Sequence, residues 1–243
     1  MKVDILAVGV HPDDVELSCS GTLLRHIAGG KSVGLLDLTR GELGTRGNAE
    51  IRTREAMHAA ELMGAAFRWN LDMADGFFTP SEENLRKIIG AVRAARPTVV
   101  LANALEDRHP DHGRAAKLVR EACFYAGLAK IETLGADGVS QAHWRPQAVY
   151  HYIQDYDLKP DFVVDIEPYI ERKFELIRAF SSQFYVPEVA DYAGELSSPI
   201  SGRDFMEFLR GKARALGRPA GYEFAEGFNT ARSPGVSDLF DLV

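Results

Sequence analysis

"AVGVHPDDVELSCSG" (residues 7–21) runs an apolar stretch into a proline, two adjacent carboxylates and a segment with helical spacing. With the residues before it, the apolar part reads "VDILAVGV" (3–10), short and aliphatic as a buried strand would be. The same order returns at "LANALEDRHPDHGRAA" (101–116), where a second apolar run breaks at His-Pro-Asp ahead of a second helix-like segment. A turn calls for proline and aspartate. It does not call for histidine, and it does not need the pattern twice.

Working outward, short aliphatic runs alternate with longer helix-period segments. Strands are predicted at 3–10, 31–39, 66–72, 97–105, 147–153 and 161–166, and helices at 16–29, 50–64, 81–95 and 113–127. Ser81, with Glu83 and Asn84 close behind, is placed as an N-terminal cap. Such alternation implies an α/β fold, Rossmann-like, with a mostly parallel sheet flanked by helices. After Asp165 the pattern changes to a helix-like 167–184, a looser 186–203, a helix at 203–217 and an irregular tail, a C-terminal helical and irregular extension. No low-complexity linker divides the chain, so one domain over 1–243 is expected.

The 243 residues suffice for a full core, and 46% hydrophobic with 26% charged is a soluble globular composition. A formal net charge of −7 argues against a broad nucleic-acid footprint. No run approaches the ~18 apolar residues of a membrane span and no secretory leader is evident, so a cytoplasmic setting is expected. Cys19 and Cys123 form no CxxC and are read as buried, inert thiols.

In an open parallel sheet, ligands bind beyond the carboxyl ends of strands where the strand order reverses. If the first strand is central and the fourth lies beside it, both His-Pro-Asp loops meet at one crevice. They would then offer His11, Asp14 and His112, two imidazoles and a carboxylate with an open position, which is the donor set of a catalytic zinc site. Asp13 can point away from its neighbour and is a candidate general base. His109 is placed to stabilise an oxyanion or protonate a leaving amine, and Asp111 to orient an imidazole. That set describes hydrolysis of an acyl bond. His26 and His58 are read as helix surface, His143 as loop and His151 as a strand position.

At this point the residues resemble a known family. "HPDD" and "HPDH" after the first and fourth strands are similar to the zinc-dependent LmbE/PIG-L N-acetylglucosaminyl deacetylases. "LTRGELGTRG" 38–47, "EDRHPDHGRAAKL" 106–118, "YHYIQ" 150–154, "SSQF" 181–184, "YEFAEGF" 222–228 and the closing "DLFDL" resemble its bacillithiol-biosynthesis branch. The resemblance implies one Zn2+ per subunit on His11, Asp14 and His112, with other divalent ions possible. It also implies Asp13 as base and His109 as the acid or oxyanion-stabilising residue. The substrate it implies is an aminosugar glycoside, N-acetylglucosaminyl-malate. Arg52 and Arg108, with Arg46 beside them, would meet the malate carboxylates, for which guanidinium forks are suited. Relatives of this kind imply a homo-oligomer, a trimer or hexamer. A related mycothiol branch carries an active-site tyrosine where this chain has Asp107, so Tyr152 and Tyr192 are the alternatives for that role.

Other readings stay open at this stage: a bacillithiol S-conjugate amidase, a deacetylase of another aminosugar, or a non-haem iron oxygenase with its two-histidine, one-carboxylate triad. The J-type chaperone loop shares His-Pro-Asp but joins two helices in a basic domain. A dinucleotide site would need G-x-G-x-x-G after the first strand, where only Gly9 stands.

Overall fold

The computed structural model describes residues 2–187 and 196–242. Seven strands, β1 (Ile5–Gly9), β2 (Val33–Thr39), β3 (Phe67–Met73), β4 (Val99–Ala102), β5 (Ala148–Tyr152), β6 (Phe162–Asp165) and β7 (Ala225–Thr230), form one sheet in the order 3-2-1-4-5-7-6. Strands β1 to β5 pair in parallel, and β7 pairs antiparallel with β5 and β6. The helices are α1 (Asp14–Ala28), α2 (Ala49–Met63), α3 (Glu82–Ala95), α4 (Pro110–Ala126), α5 (Ile170–Arg178) and α6 (Arg203–Gly217).

Successive side chains of a strand point to opposite faces, and β1 shows what that does here. Leu6 and Val8 enter a core with Ile88, Ile89 and Val92 of α3 and Leu118 and Val119 of α4. Ile5 and Ala7 enter the opposite core with Val15, Cys19 and Leu23 of α1 and Ala60 of α2. Every residue of β1 and β2 is buried, whereas burial in the edge strand β3 comes and goes along its length. Central strands covered on both faces read as continuous apolar runs, which is why 3–10 and 31–39 were legible. The α/β, mostly parallel architecture is as expected.

Three local results position the loops. Asp14 and His112 lie in the first turns of α1 and α4, which begin at Asp14 and Pro110, earlier than the apolar periodicity indicated. Ser81 caps α3 as expected, accepting from Asn84 N at 3.2 Å. Gly21 lets α1 lie close to the sheet end, since a Cβ there would stand 2.8 Å from the Cβ of Ile166.

The C-terminal region holds more order than the irregular tail foreseen. "AEGFNT" forms β7, inserted between β5 and β6. It carries no β-branched alternation: Phe228 joins the core beside Tyr152, while Glu226 is buried, meets Lys173 of α5 at 2.5 Å and accepts from Gly21 N and Thr22 N at 3.0 and 2.7 Å. The helix-like 167–184 resolves into a short 3-10 turn at Glu167–Tyr169 followed by α5. Tyr192 lies outside the described residues. Among the described residues no helix is long and apolar enough to cross a membrane. Cys19 and Cys123 are buried and unbonded to each other, and burial pushes the Cys123 thiol up to about 12.

Candidate metal centre and catalytic cleft

Strands β1 and β4 are neighbours, so the loops that leave their carboxyl ends converge at the point where the strand order reverses. A cavity of about 310 Å³ opens there, lined by His11, Asp13, Asp14, Asp75, His109 and His112 and by apolar residues of α6. The ring nitrogens of His11, His109 and His112 include a set lying within 4.8 Å of one another.

His112 Nε2 stands 3.1 Å from Asp14 Oδ1, and His11 Nδ1 stands 3.8 Å from Asp14 Oδ2. Each ring is held from behind by a carboxylate. His11 Nε2 bonds Asp75 Oδ1 at 2.9 Å, and His112 Nδ1 bonds Asp107 Oδ2 at 2.5 Å. Imidazoles fixed through their outer nitrogens by carboxylates, with the inner nitrogens gathered around a third carboxylate, are what a divalent ion needs. Two donors bound to one ion at ~2.1 Å lie no more than ~4.2 Å apart, and His112 Nε2 and Asp14 Oδ1, at 3.1 Å, satisfy this. The residues therefore fit a metal.

Without a metal, burial opposes charge on His11, but the nearby Asp111 carboxylate, the bond to Asp75 and the charge of Asp14 outweigh it and raise the ring to about 10. Burial likewise opposes charge on His112, while Asp14 and the bond to Asp107 lift it to about 9. Burial would raise Asp14, yet the charge of His112 and the bond to it, with His11, hold its carboxyl far below the usual range. A pocket that favours positive charge at both rings favours a cation.

Asp13 behaves otherwise. It adopts φ 134°, outside the ordinary range for a side-chain-bearing residue, and so turns its carboxylate away from α1. Burial raises it to about 7, against the opposing charge of Arg52, whose Nη2 donates to Asp13 Oδ2 at 2.7 Å. A carboxylate tuned close to neutrality in a cleft has the properties of a general base. His109 caps α4, its Nδ1 accepting from Asp111 N at 3.3 Å, so in the neutral ring the proton sits on Nε2. Burial and the neighbouring rings of His11 and His112 lower its pKa and keep it neutral.

Asp111 is fully buried, bonds Gly76 N at 2.9 Å and Arg114 at 2.8 Å, and lies 3.7 Å from His11 Nε2, a more distant partner than Asp75. Arg52 lines the cavity but is committed to Asp13, to Pro12 O at 2.9 Å and to Gly41 O at 3.0 Å. Arg108 stands at the mouth with 48% of its side chain exposed and pairs with Asp155 at 2.8 Å. Arg46 is buried and does not line the cavity. Tyr152 is fully buried and donates to Val8 O at 2.8 Å, inside the sheet rather than in the cleft. His151 is buried on β5, outside the cavity, and donates from Nδ1 to Asn103 O at 2.8 Å. Sequence reasoning missed Asp75, Asn103 and Gln154 as site residues. Gln154 lies inside the quoted "YHYIQ" and Asn103 inside "LANALEDRHPDHGRAA", whereas Asp75 lies in neither.

The family model described as "PIG-L: GlcNAc-PI de-N-acetylase" matches residues 6–123, which span both His-Pro-Asp loops. The chain is 31% identical to the diacetylchitobiose deacetylase of Thermococcus kodakarensis, over 96% of this chain and 84% of that one. The chain belongs to the PIG-L/LmbE family of deacetylases. It is also 27% identical to a probable N-acetyl-alpha-D-glucosaminyl L-malate deacetylase 2 of Bacillus anthracis, over 74% of this chain and 81% of that one. A conserved protein of Thermus thermophilus superposes with a TM-score of 0.83 at 34% identity, covering 96% and 97% of the two chains. PIG-L/LmbE membership supports neither the oxygenase nor the chaperone reading. The matched residues run from β1 into α4, the part of the chain that carries both His-Pro-Asp loops.

Proposed function

We propose that the protein is a zinc-dependent N-deacetylase that removes the acetyl group from N-acetylglucosaminyl-malate, yielding glucosaminyl-malate and acetate on the route to bacillithiol. The observation that carries the hydrolytic reading is the meeting of the two loops, with His112 Nε2 3.1 Å from Asp14 Oδ1 and Asp13 turned aside beside them.

His11, Asp14 and His112 would hold the ion, which supplies a Lewis acid for the acetyl carbonyl and makes water a stronger acid. Asp13 accepts the proton of the attacking water and returns it to the amine as the C–N bond breaks. Arg52 holds Asp13 in the orientation this requires. His109 offers its Nε2–H to the oxygen that becomes negative at the tetrahedral stage. The bonds of His11 to Asp75 and of His112 to Asp107 keep the two rings from turning. Arg108, half exposed and lining the cavity, would meet a malate carboxylate by exchanging Asp155 for it. The similarity to the Bacillus protein supports that substrate.

A second reading, a neutral disaccharide such as diacetylchitobiose, is favoured by the wall that Phe205, Phe208, Leu209 and Leu216 of α6 present to the cavity. Acetate release measured side by side on N-acetylglucosaminyl-malate, diacetylchitobiose, N-acetylglucosamine and a bacillithiol conjugate, with metal content determined on the same preparation, separates these. The malate glycoside should have the highest kcat/KM. Turnover of diacetylchitobiose above it would hand the assignment to the second reading, and acetate release from none would remove the deacetylase proposal.

A further inference from the structure

We propose that Asn103 and Gln154 are positioning residues that restrict Asp14 to a single ligand oxygen; this rests on the metal reading above. Asn103 follows β4 and is fully buried, and Gln154 follows β5 and lines the cavity. A carboxylate has about four lone-pair positions, two on each oxygen. Asp14 Oδ2 accepts from His11 N at 2.9 Å and from Asn103 Nδ2 at 2.9 Å, which fills it. Asp14 Oδ1 accepts from Gln154 Nε2 at 3.1 Å, which leaves one position, and His112 Nε2 stands 3.1 Å from that same atom.

The direction of each carboxamide is set by a backbone donor. Val10 N donates to Asn103 Oδ1 at 3.0 Å, so the nitrogen of Asn103 must face Asp14. Ala104 N donates to Gln154 Oε1 at 3.1 Å, and Asn103 Nδ2 donates to the same oxygen at 3.0 Å, so the nitrogen of Gln154 must face Asp14 too. Flipping either amide would place an N–H against an N–H and an oxygen against a carboxylate. His151 completes the outer end, holding the carbonyl of Asn103 at 2.8 Å. Three adjacent strand ends thus converge on one carboxylate and leave it one outward-facing acceptor.

The test is Co2+ binding to the purified metal-free protein, by competition with a chelator, with the visible absorption bands of the loaded protein recorded. Gln154→Met removes the donor with little change of volume, and Gln154→Ala opens the vacated space to the cavity should the first variant not fold. Each is expected to weaken Co2+ binding by about 10- to 100-fold and to shift the bands, since partners behind a ligand commonly matter to that extent. Variants that bind as tightly as the parent with unchanged bands overturn the proposal, and so does a lowered unfolding temperature of the metal-free protein with binding and bands unchanged. A parent protein that takes up no Co2+ would instead overturn the metal reading on which the proposal stands.

Discussion

Asp13 and Asp14 are consecutive residues with opposite electrostatics. Burial lifts Asp13 to about 7, while the histidine rings hold Asp14 far below the usual carboxylate range. Two carboxylates driven apart by their surroundings mark out different jobs. Asp13→Asn should therefore keep its metal and lose at least about 100-fold in kcat, whereas His112→Ala should lose both metal and turnover. Metal analysis beside acetate-release kinetics checks this, and equal metal loss in the two variants would mean that base and ligand are exchanged. Arg52 was expected to grip malate, but its guanidinium already serves Asp13, Pro12 O and Gly41 O. Arg52→Lys keeps the charge without the fork, so kcat should fall on the order of 10-fold with KM for the malate glycoside little altered. A risen KM with unchanged kcat would return Arg52 to the substrate. The histidines and aspartates of the two loops were legible because a repeated turn needs no histidine. Asp75 was not, because a lone aspartate in a loop between a strand and a helix looks like any other turn residue, and only the fold brings it 2.9 Å from His11.

At the scale of elements, six strands and six helical segments could be read because each carries a short apolar run or apolar residues at helical spacing. The strand that could not, β7, buries a charged side chain as well as Phe228. Its Glu226 joins Lys173 of α5 and two backbone N–H groups of α1, and Lys173 also donates to Leu17 O at 2.7 Å. Three elements from distant parts of the chain are thereby joined behind the helix that begins at Asp14. Breaking one side of a buried pair leaves an uncompensated charge and costs about 3–5 kcal/mol. For a chain of this size that is a drop of roughly 10 °C in Tm, at ~2–4 °C per kcal/mol. Lys173→Met should show it in thermal unfolding, and Lys173→Met with Glu226→Leu should recover part of the loss. A single variant as stable as the parent would mean that packing, not the ion pair, secures β7 to α1.

For the molecule as a whole, the consequence lies in how a bound ion would couple to folding. Its three proposed ligands come from the loop after β1 and from the first turns of α1 and α4, and the crevice between them exists only when the sheet is assembled in the order 2-1-4-5. In an unfolded chain His11 and His112 are separated by a hundred residues, so the ion binds the native state with strong preference. At a free concentration 1,000 times its Kd, such a ligand stabilises by about 4 kcal/mol, which corresponds to a rise of roughly 10 °C in Tm at ~2–4 °C per kcal/mol. Thermal unfolding of chelator-treated protein, before and after Zn2+ is restored, should show that rise and a parallel return of acetate release. His112→Ala, which lacks one of the two loops' ligands, should unfold at the same temperature with and without Zn2+. A rise of equal size in that variant would place the ion away from the convergence of the two His-Pro-Asp loops, and the crevice would then owe its carboxylates and imidazoles to some other chemistry.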